Sequence, residues 1–188
     1  NAYPVLIYTG PRKDEEVPQP YFNHAIVAAE NTDGSYTLMD PTDESTKDLL
    51  PAYLNNKSYL VAKPAGERLL ASPVAPAEAN LLLIESTGRI DANGTYSAQA
   101  ALSYRGINDS MYRGYLAQLE PEQRKRYFEL NLKRTLPSAE LTGFSISPAN
   151  LLDTTQPLVV MFEIQAKNYV LRDKTLAALP LPRLGRTL

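Results

Sequence analysis

The chain has no cysteine and a single histidine among its 188 residues. Without a thiol these residues contain no disulfide, no thiolate nucleophile and no Cys-based metal site. With one imidazole, a zinc site would have to lean on carboxylates, which is not how zinc is ordinarily held. That disfavours a metal-dependent hydrolase, and the reading calls for no cofactor and no metal. Neither sign of charge is in excess, with 19 basic and 21 acidic side chains. The balance argues against nucleic acid or an anionic membrane as the main partner. No apolar run approaches a membrane span, and the first residues do not form a secretory signal. What is present is 44% apolar residues, enough for a core in one or two domains.

The histidine lies in Phe22-Asn23-His24-Ala25-Ile26-Val27-Ala28, and a carboxylate follows in Tyr36-Thr37-Leu38-Met39-Asp40-Pro41-Thr42. Ala25-Ile26-Val27 is an apolar, β-branched run, and Asn31-Thr32-Asp33-Gly34 is a turn cluster, so the segment reads as a β-hairpin. If the loop is Thr32-Asp33-Gly34, Asn31 faces Ser35, His24 faces Thr42 and Asp40 faces Ile26. His24 and Asp40 are then diagonal neighbours on one face, about 7–8 Å apart at Cα. A slip of one residue or a bulge would separate them, because side chains alternate between faces. Pro41 biases Asp40 toward extended backbone. A histidine held by an aspartate is the orienting part of a nucleophilic centre. The residues alone also allow a structural histidine and an aspartate that ends a strand.

These segments resemble the His and Asp stretches of bacterial transglutaminase-like proteins, within the papain-like cysteine acyltransferase and protease superfamily. Ala2-Tyr3-Pro4-Val5-Leu6-Ile7-Tyr8-Thr9-Gly10 resembles the strand that follows the catalytic helix there, so the likeness covers about residues 2–63. Leu38 departs from it, standing where relatives commonly carry an aromatic residue. The resemblance implies that His24 is the general base and Asp40 its orienting partner. The nucleophile would be a Cys at the start of a helix upstream of residue 1, in the same protein. It further implies a protein or peptide substrate, cell-wall peptide among the options, and a periplasmic or cell-surface location. The abrupt start at Asn1-Ala2 and the end at Leu181–Leu188 read as the limits of a piece of a larger protein. Such a piece would be inert alone, carrying two members of a Cys-His-Asp triad.

The expected fold class is α+β: residues 1–63 form the antiparallel sheet remainder of the core, 64–77 a Pro- and Ala-rich connection, and 78–188 a β-rich module with two inserted helices. Tyr3 to Thr9 is apolar on both faces, which suits a strand covered on both sides; helices would ordinarily cover one face, and in this piece they are expected to be missing. Gly10 to Pro20 is a loop with prolines at 11, 18 and 20, and its charges at 12–16 read as a solvated surface. Asp43 to Asn56 reads as irregular or short helix, and Ser58 to Lys63 as a strand.

In the second module, Leu81–Thr87 and Thr95–Tyr104 are strands around an Asp91–Gly94 turn. Tyr96, Ala98, Ala100 and Leu102 face inward, and Ser97, Gln99, Ala101 and Ser103 face outward. The first helix is capped by Asn108 or Asp109, with Met111, Tyr115, Leu116 and Leu119 as its apolar stripe. The second runs from Pro121 to about Thr135, with Phe128, Leu132 and Leu136 inward, Tyr127 and Leu130 beside them. Arg124-Lys125-Arg126 reads as a solvated face. Leu141–Ser147 and Leu158–Ala166 complete an antiparallel sheet. Asn-x-Ser/Thr triplets at Asn56, Asn93 and Asn108 are chance matches. The module resembles the C-terminal domain that follows the catalytic core in the same bacterial proteins. The competing reading is a non-catalytic, protein- or glycan-binding β module at the bacterial cell envelope.

Overall fold

The computed structural model describes residues 1–16 and 21–180. Prolines 18 and 20 and the stretch 181–188 lie outside the described residues. The chain divides into two compact units, Asn1–Asn80 and Leu81–Leu188. Both are built on antiparallel sheets, the second with two helices, which makes the fold α+β and β-rich. Among the described residues no helix is long and apolar enough to cross a membrane.

The first unit is a five-stranded sheet in the order β3-β2-β1-β4-β5. Its strands are β1 (Ala2–Ile7), β2 (His24–Glu30), β3 (Tyr36–Met39), β4 (Ser58–Val61) and β5 (Leu70–Ala71). Val5, Ile7, Ile26, Ala28, Leu38, Tyr59 and Val61 close one face over Leu54 and form the core. The opposite face of β1 is not covered among the described residues: Pro4 is exposed and Leu6 is 40% exposed. A strand apolar on both faces suits cover on both sides, and among the described residues of this unit no α-helix supplies it on this face. Within residues 64–77, read as a connection, β5 pairs with β4 through Ser58↔Ala71 and Tyr59↔Leu70. Ser72 anchors the same stretch: its hydroxyl donates to the Leu54 carbonyl at 2.5 Å and accepts from the Lys57 amide at 2.8 Å.

The second unit is a four-stranded sheet in the order β6-β7-β9-β8, with β6 (Leu82–Ile90), β7 (Tyr96–Tyr104), β8 (Ala139–Ser147) and β9 (Val159–Ala166). Two hairpins are zipped together by the central β7–β9 ladder. The alternation in β7 is as expected, with Tyr96, Ala98, Ala100 and Leu102 buried. The helices α1 (Ile107–Ala117) and α2 (Pro121–Thr135) separate the hairpins, and Leu116, Phe128, Leu132 and Leu136 join the core that β7 and β9 line. A short hairpin, β10 (Leu171–Arg172) with β11 (Ala177–Ala178), follows.

The start of α1 departs from expectation. Gly106 caps it at φ 59°, so Asn108 and Asp109 lie in the first turn rather than at the cap. The stripe is rotated as well: Met111 is 63% exposed and Tyr115 45%, while Ser110, Arg113 and Leu116 are buried. Arg113 takes an inward position, where its guanidinium is bonded to Asp109 and to the Leu151, Asp153 and Gln156 carbonyls. In α2, Glu120 and Gln123 form a capping box ahead of Pro121. Leu130, expected beside the inward row, is 52% exposed. Arg124 is not simply solvated: its Nε donates to the Leu116 and Leu119 carbonyls, tying α2 to the end of α1.

Candidate active site

The site begins with the β2–β3 turn. The Asp33 carboxylate accepts from the Ser35 amide at 2.9 Å and the Ser35 hydroxyl at 2.6 Å. Gly34 supplies φ 81°, which a side chain would resist. Asn31 N–H donates to the Ser35 carbonyl at 2.8 Å, closing the loop where the sequence places it. That closure fixes the register: Glu30↔Tyr36, Ala29↔Thr37, Ala28↔Leu38 and Val27↔Met39. His24 and Asp40 consequently share the face that carries Ile26, Ala28 and Leu38.

The ladder stops at Val27↔Met39, so the expected cross-strand pairs His24–Thr42 and Ile26–Asp40 are not ladder pairs. The Asp40 amide instead donates to the Leu49 carbonyl at 2.7 Å, and Pro41 has no N–H to continue pairing. His24 pairs on its other side with Ile7 of β1. The two side chains still meet, with His24 Nε2 2.8 Å from Asp40 Oδ2.

Asp40 has a fully buried side chain, whereas that of His24 is 23% exposed. The Tyr53 hydroxyl also donates to Oδ2, at 3.1 Å. Oδ1 accepts from the Thr42 amide at 3.0 Å and the Thr42 hydroxyl at 2.7 Å. Burial by itself would raise the Asp40 pKa; the hydrogen bonds from His24, Thr42 and Tyr53 outweigh it and hold the carboxyl below the usual aspartate value. Burial, and then the bond to Asp40, push the Tyr53 phenol up to about 12. An ionised carboxylate only accepts, so Nε2 must carry the hydrogen in this pair. In the neutral ring the lone pair then sits on Nδ1, which has no partner among the described residues. The imidazole is fixed in one tautomer, with its basic nitrogen turned away from the carboxylate.

Tyr53 carries no signal in the sequence. It reaches Asp40 from a single 3-10 turn, Ala52–Leu54, whose position is set by burying Leu54 completely. The charged loop at 12–16 also holds more than a solvated surface. Arg12 pairs with Glu15 at 3.2 Å, but the Lys13 ammonium lies 4.1 Å from the centre of the Tyr8 ring and 4.4 Å from that of Tyr21. Among the described residues no group of three His, Asp or Glu side chains is placed to hold a metal ion. No protein-family model, curated protein or solved structure matches the chain.

Asp40→Asn tests the carboxylate's structural share. An amide offers one acceptor where the carboxylate uses both oxygens, so its NH2 must face donors, either those of Thr42 or those of His24 and Tyr53. The expected cost is about 1–3 kcal/mol at neutral pH. Because the folded pKa of Asp40 is lowered, its contribution is fully present above the ordinary value of 3.8 and is lost as pH falls through the folded value. Melting curves should therefore show the gap between the two proteins closing below that value. A gap of equal size at neutral and strongly acid pH would contradict the assignment.

Proposed function

We propose that His24 and Asp40 are the base and the orienting carboxylate of a Cys-His-Asp acyl-transfer centre. The thiol comes from a segment of the same protein that precedes Asn1, since these residues contain no cysteine. His24 Nδ1 takes the thiol proton, and the thiolate attacks the carbonyl carbon of an amide in a protein or peptide. The tetrahedral intermediate collapses, the amine leaves with the proton returned by His24, and an acyl-enzyme remains. Water or a second amine, deprotonated by the same nitrogen, then attacks the acyl carbon; the C–S bond breaks, the thiolate leaves, and His24 returns the proton to it. The products follow as proteolysis, amidolysis or transamidation. Asp40 holds the ring in the tautomer this needs and stabilises the imidazolium that forms.

The observation that carries the reading is the Nε2–Oδ2 contact of 2.8 Å, which leaves Nδ1 on a partly exposed ring. A protein- or glycan-binding module is supported by the solvated outer face of the second sheet. That reading assigns no role to the buried, charge-retaining Asp40. The protein bearing the residues before Asn1 should be treated with iodoacetamide and mapped by mass spectrometry. One cysteine in that segment should be alkylated, with loss of amide-cleaving or amine-transferring activity. A sequence with no cysteine before Tyr3 would discard the proposal.

A further inference from the structure

The outer edge of the second sheet is unlike its opposite edge. On the β8 side the ladder is broken by a bulge between Leu141 and Gly143, a device that discourages further pairing. On the β6 side, the pairing with β7 runs unbroken from Leu82 to Ile90, and among the described residues no strand occupies its other edge. The strand contains no proline and no lysine. Its exposure is also high: all residues from Glu85 to Ile90 are exposed. A long, flat strand edge with unpaired backbone groups is a template for another strand.

The hydrogen-bond parity of β6 can be fixed. The Arg105 amide donates to the Leu81 carbonyl, and the Asp91 amide to the Thr95 carbonyl. Odd-numbered residues therefore turn their backbone groups toward β7. The N–H and C=O of Leu82, Ile84, Ser86, Gly88 and Ile90 point outward. The side chains of Glu85, Thr87 and Arg89 lie on the solvated face.

We propose that this edge pairs with the same edge of a second copy of the chain, antiparallel about a two-fold axis at Thr87. In that register Ile84 meets Ile90 of the partner and Ser86 meets Gly88 of the partner, each through outward backbone groups. Glu85 meets Arg89 of the partner, and the two-fold repeats that ion pair. Thr87 meets its own copy. The odd positions are the closely spaced, non-hydrogen-bonded kind, about 4.5 Å apart at Cα, where cross-strand side chains interact most. Moving the register by the next permitted step sets Glu85 opposite Thr87 and Arg89 opposite Leu83, and both ion pairs are lost. Charge therefore selects one register, and Ile90, 38% exposed in the single chain, is covered by Ile84 of the partner. The two sheets become one of eight strands.

The test is sedimentation of the full chain over a concentration series, with E85R and R89E beside it. The wild type should dimerise reversibly. Each single reversal sets like charges opposite each other at both ends of the pairing and should raise the dimer Kd about tenfold or more. Both side chains are exposed, so at concentrations below the wild-type dimer Kd the variants should melt like the wild type. An equal mixture of E85R and R89E should dimerise again, because every 85–89 contact across such a heterodimer joins opposite charges. A wild type that stays monomeric up to about 1 mM, reversals without effect on Kd, or a mixture that does not regain dimer would each overturn the proposal.

Discussion

Replacing Arg113 with methionine should lower the stability of the second unit by about 3–5 kcal/mol, the range expected when one partner of a buried charge pair is removed. Arg113 is 1% exposed. Each of its N–H groups has an acceptor: Nε and Nη2 grip the Asp109 carboxylate at 2.7 and 3.1 Å, Nη1 donates to the Leu151 and Asp153 carbonyls at 2.7 and 3.1 Å, and Nη2 also donates to the Gln156 carbonyl at 2.8 Å. Asp109 in turn accepts from the Leu158 amide at 2.9 Å. One side chain thus ties α1 to the loop that feeds β9, the most apolar strand of the sheet. Methionine would match the stem, take the donors from three carbonyls and leave the Asp109 carboxylate with the Leu158 amide in place of its cation. Lysine would keep the charge but not the planar fork, and should recover only part of the loss. Hydrogen exchange read peptide by peptide is the measurement: amides of Val159–Ala166 should lose about a hundredfold or more of their protection, while those of β2 keep theirs. A loss below about 1 kcal/mol would place Arg113 with ordinary surface ion pairs.

The same residue shows what the sequence could and could not disclose. In β7 periodicity sufficed, because the inward positions are filled by apolar side chains; in α2 it found Phe128, Leu132 and Leu136 but misplaced Leu130, which is 52% exposed beside the buried Asn131. In α1 it misled, because the strongest inward contact is made by a guanidinium whose acceptors are backbone carbonyls 38–43 residues further along the chain. A hydrophobicity pattern cannot register such a partner. The hairpin was legible for the opposite reason: its register is set within a few residues, by Asp33, Gly34 and the pairing of Asn31 with Ser35, and parity then places His24 beside Asp40. Thr42 could be drawn into the site by its proximity to Asp40. Tyr53 could not, since its approach depends on how an irregular segment folds back, which is a tertiary choice. The residues after Pro64 were misleading in composition: prolines and alanines suggested a spacer, whereas Leu70 and the Ser72 hydroxyl attach them to β4 and to the Leu54 carbonyl.

If the proposed acyl-transfer centre operates with an upstream cysteine, His24→Ala should reduce amide cleavage or transfer by about 10²–10⁴-fold, the usual worth of a positioned general base. The fall should appear in kcat more than in KM, because the imidazole acts as protons move and not in holding the substrate. Asp40→Asn should cost less than His24→Ala when its NH2 turns to Thr42, since the amide oxygen then still accepts from Nε2 and keeps the ring oriented while withdrawing the negative charge that stabilises the imidazolium. Tyr53→Phe removes one neutral donor to a carboxylate that retains three others, so its effect should be the smallest of the three. The order of the effects carries the weight of the test. A histidine present only for packing would give equal, small losses that track the melting temperatures of the variants. Equal rates for His24→Ala and the wild type, in a protein shown to carry a reactive cysteine, would remove His24 from the chemistry and leave the carboxylate, Thr42 and Tyr53 as a purely structural knot at the end of the hairpin.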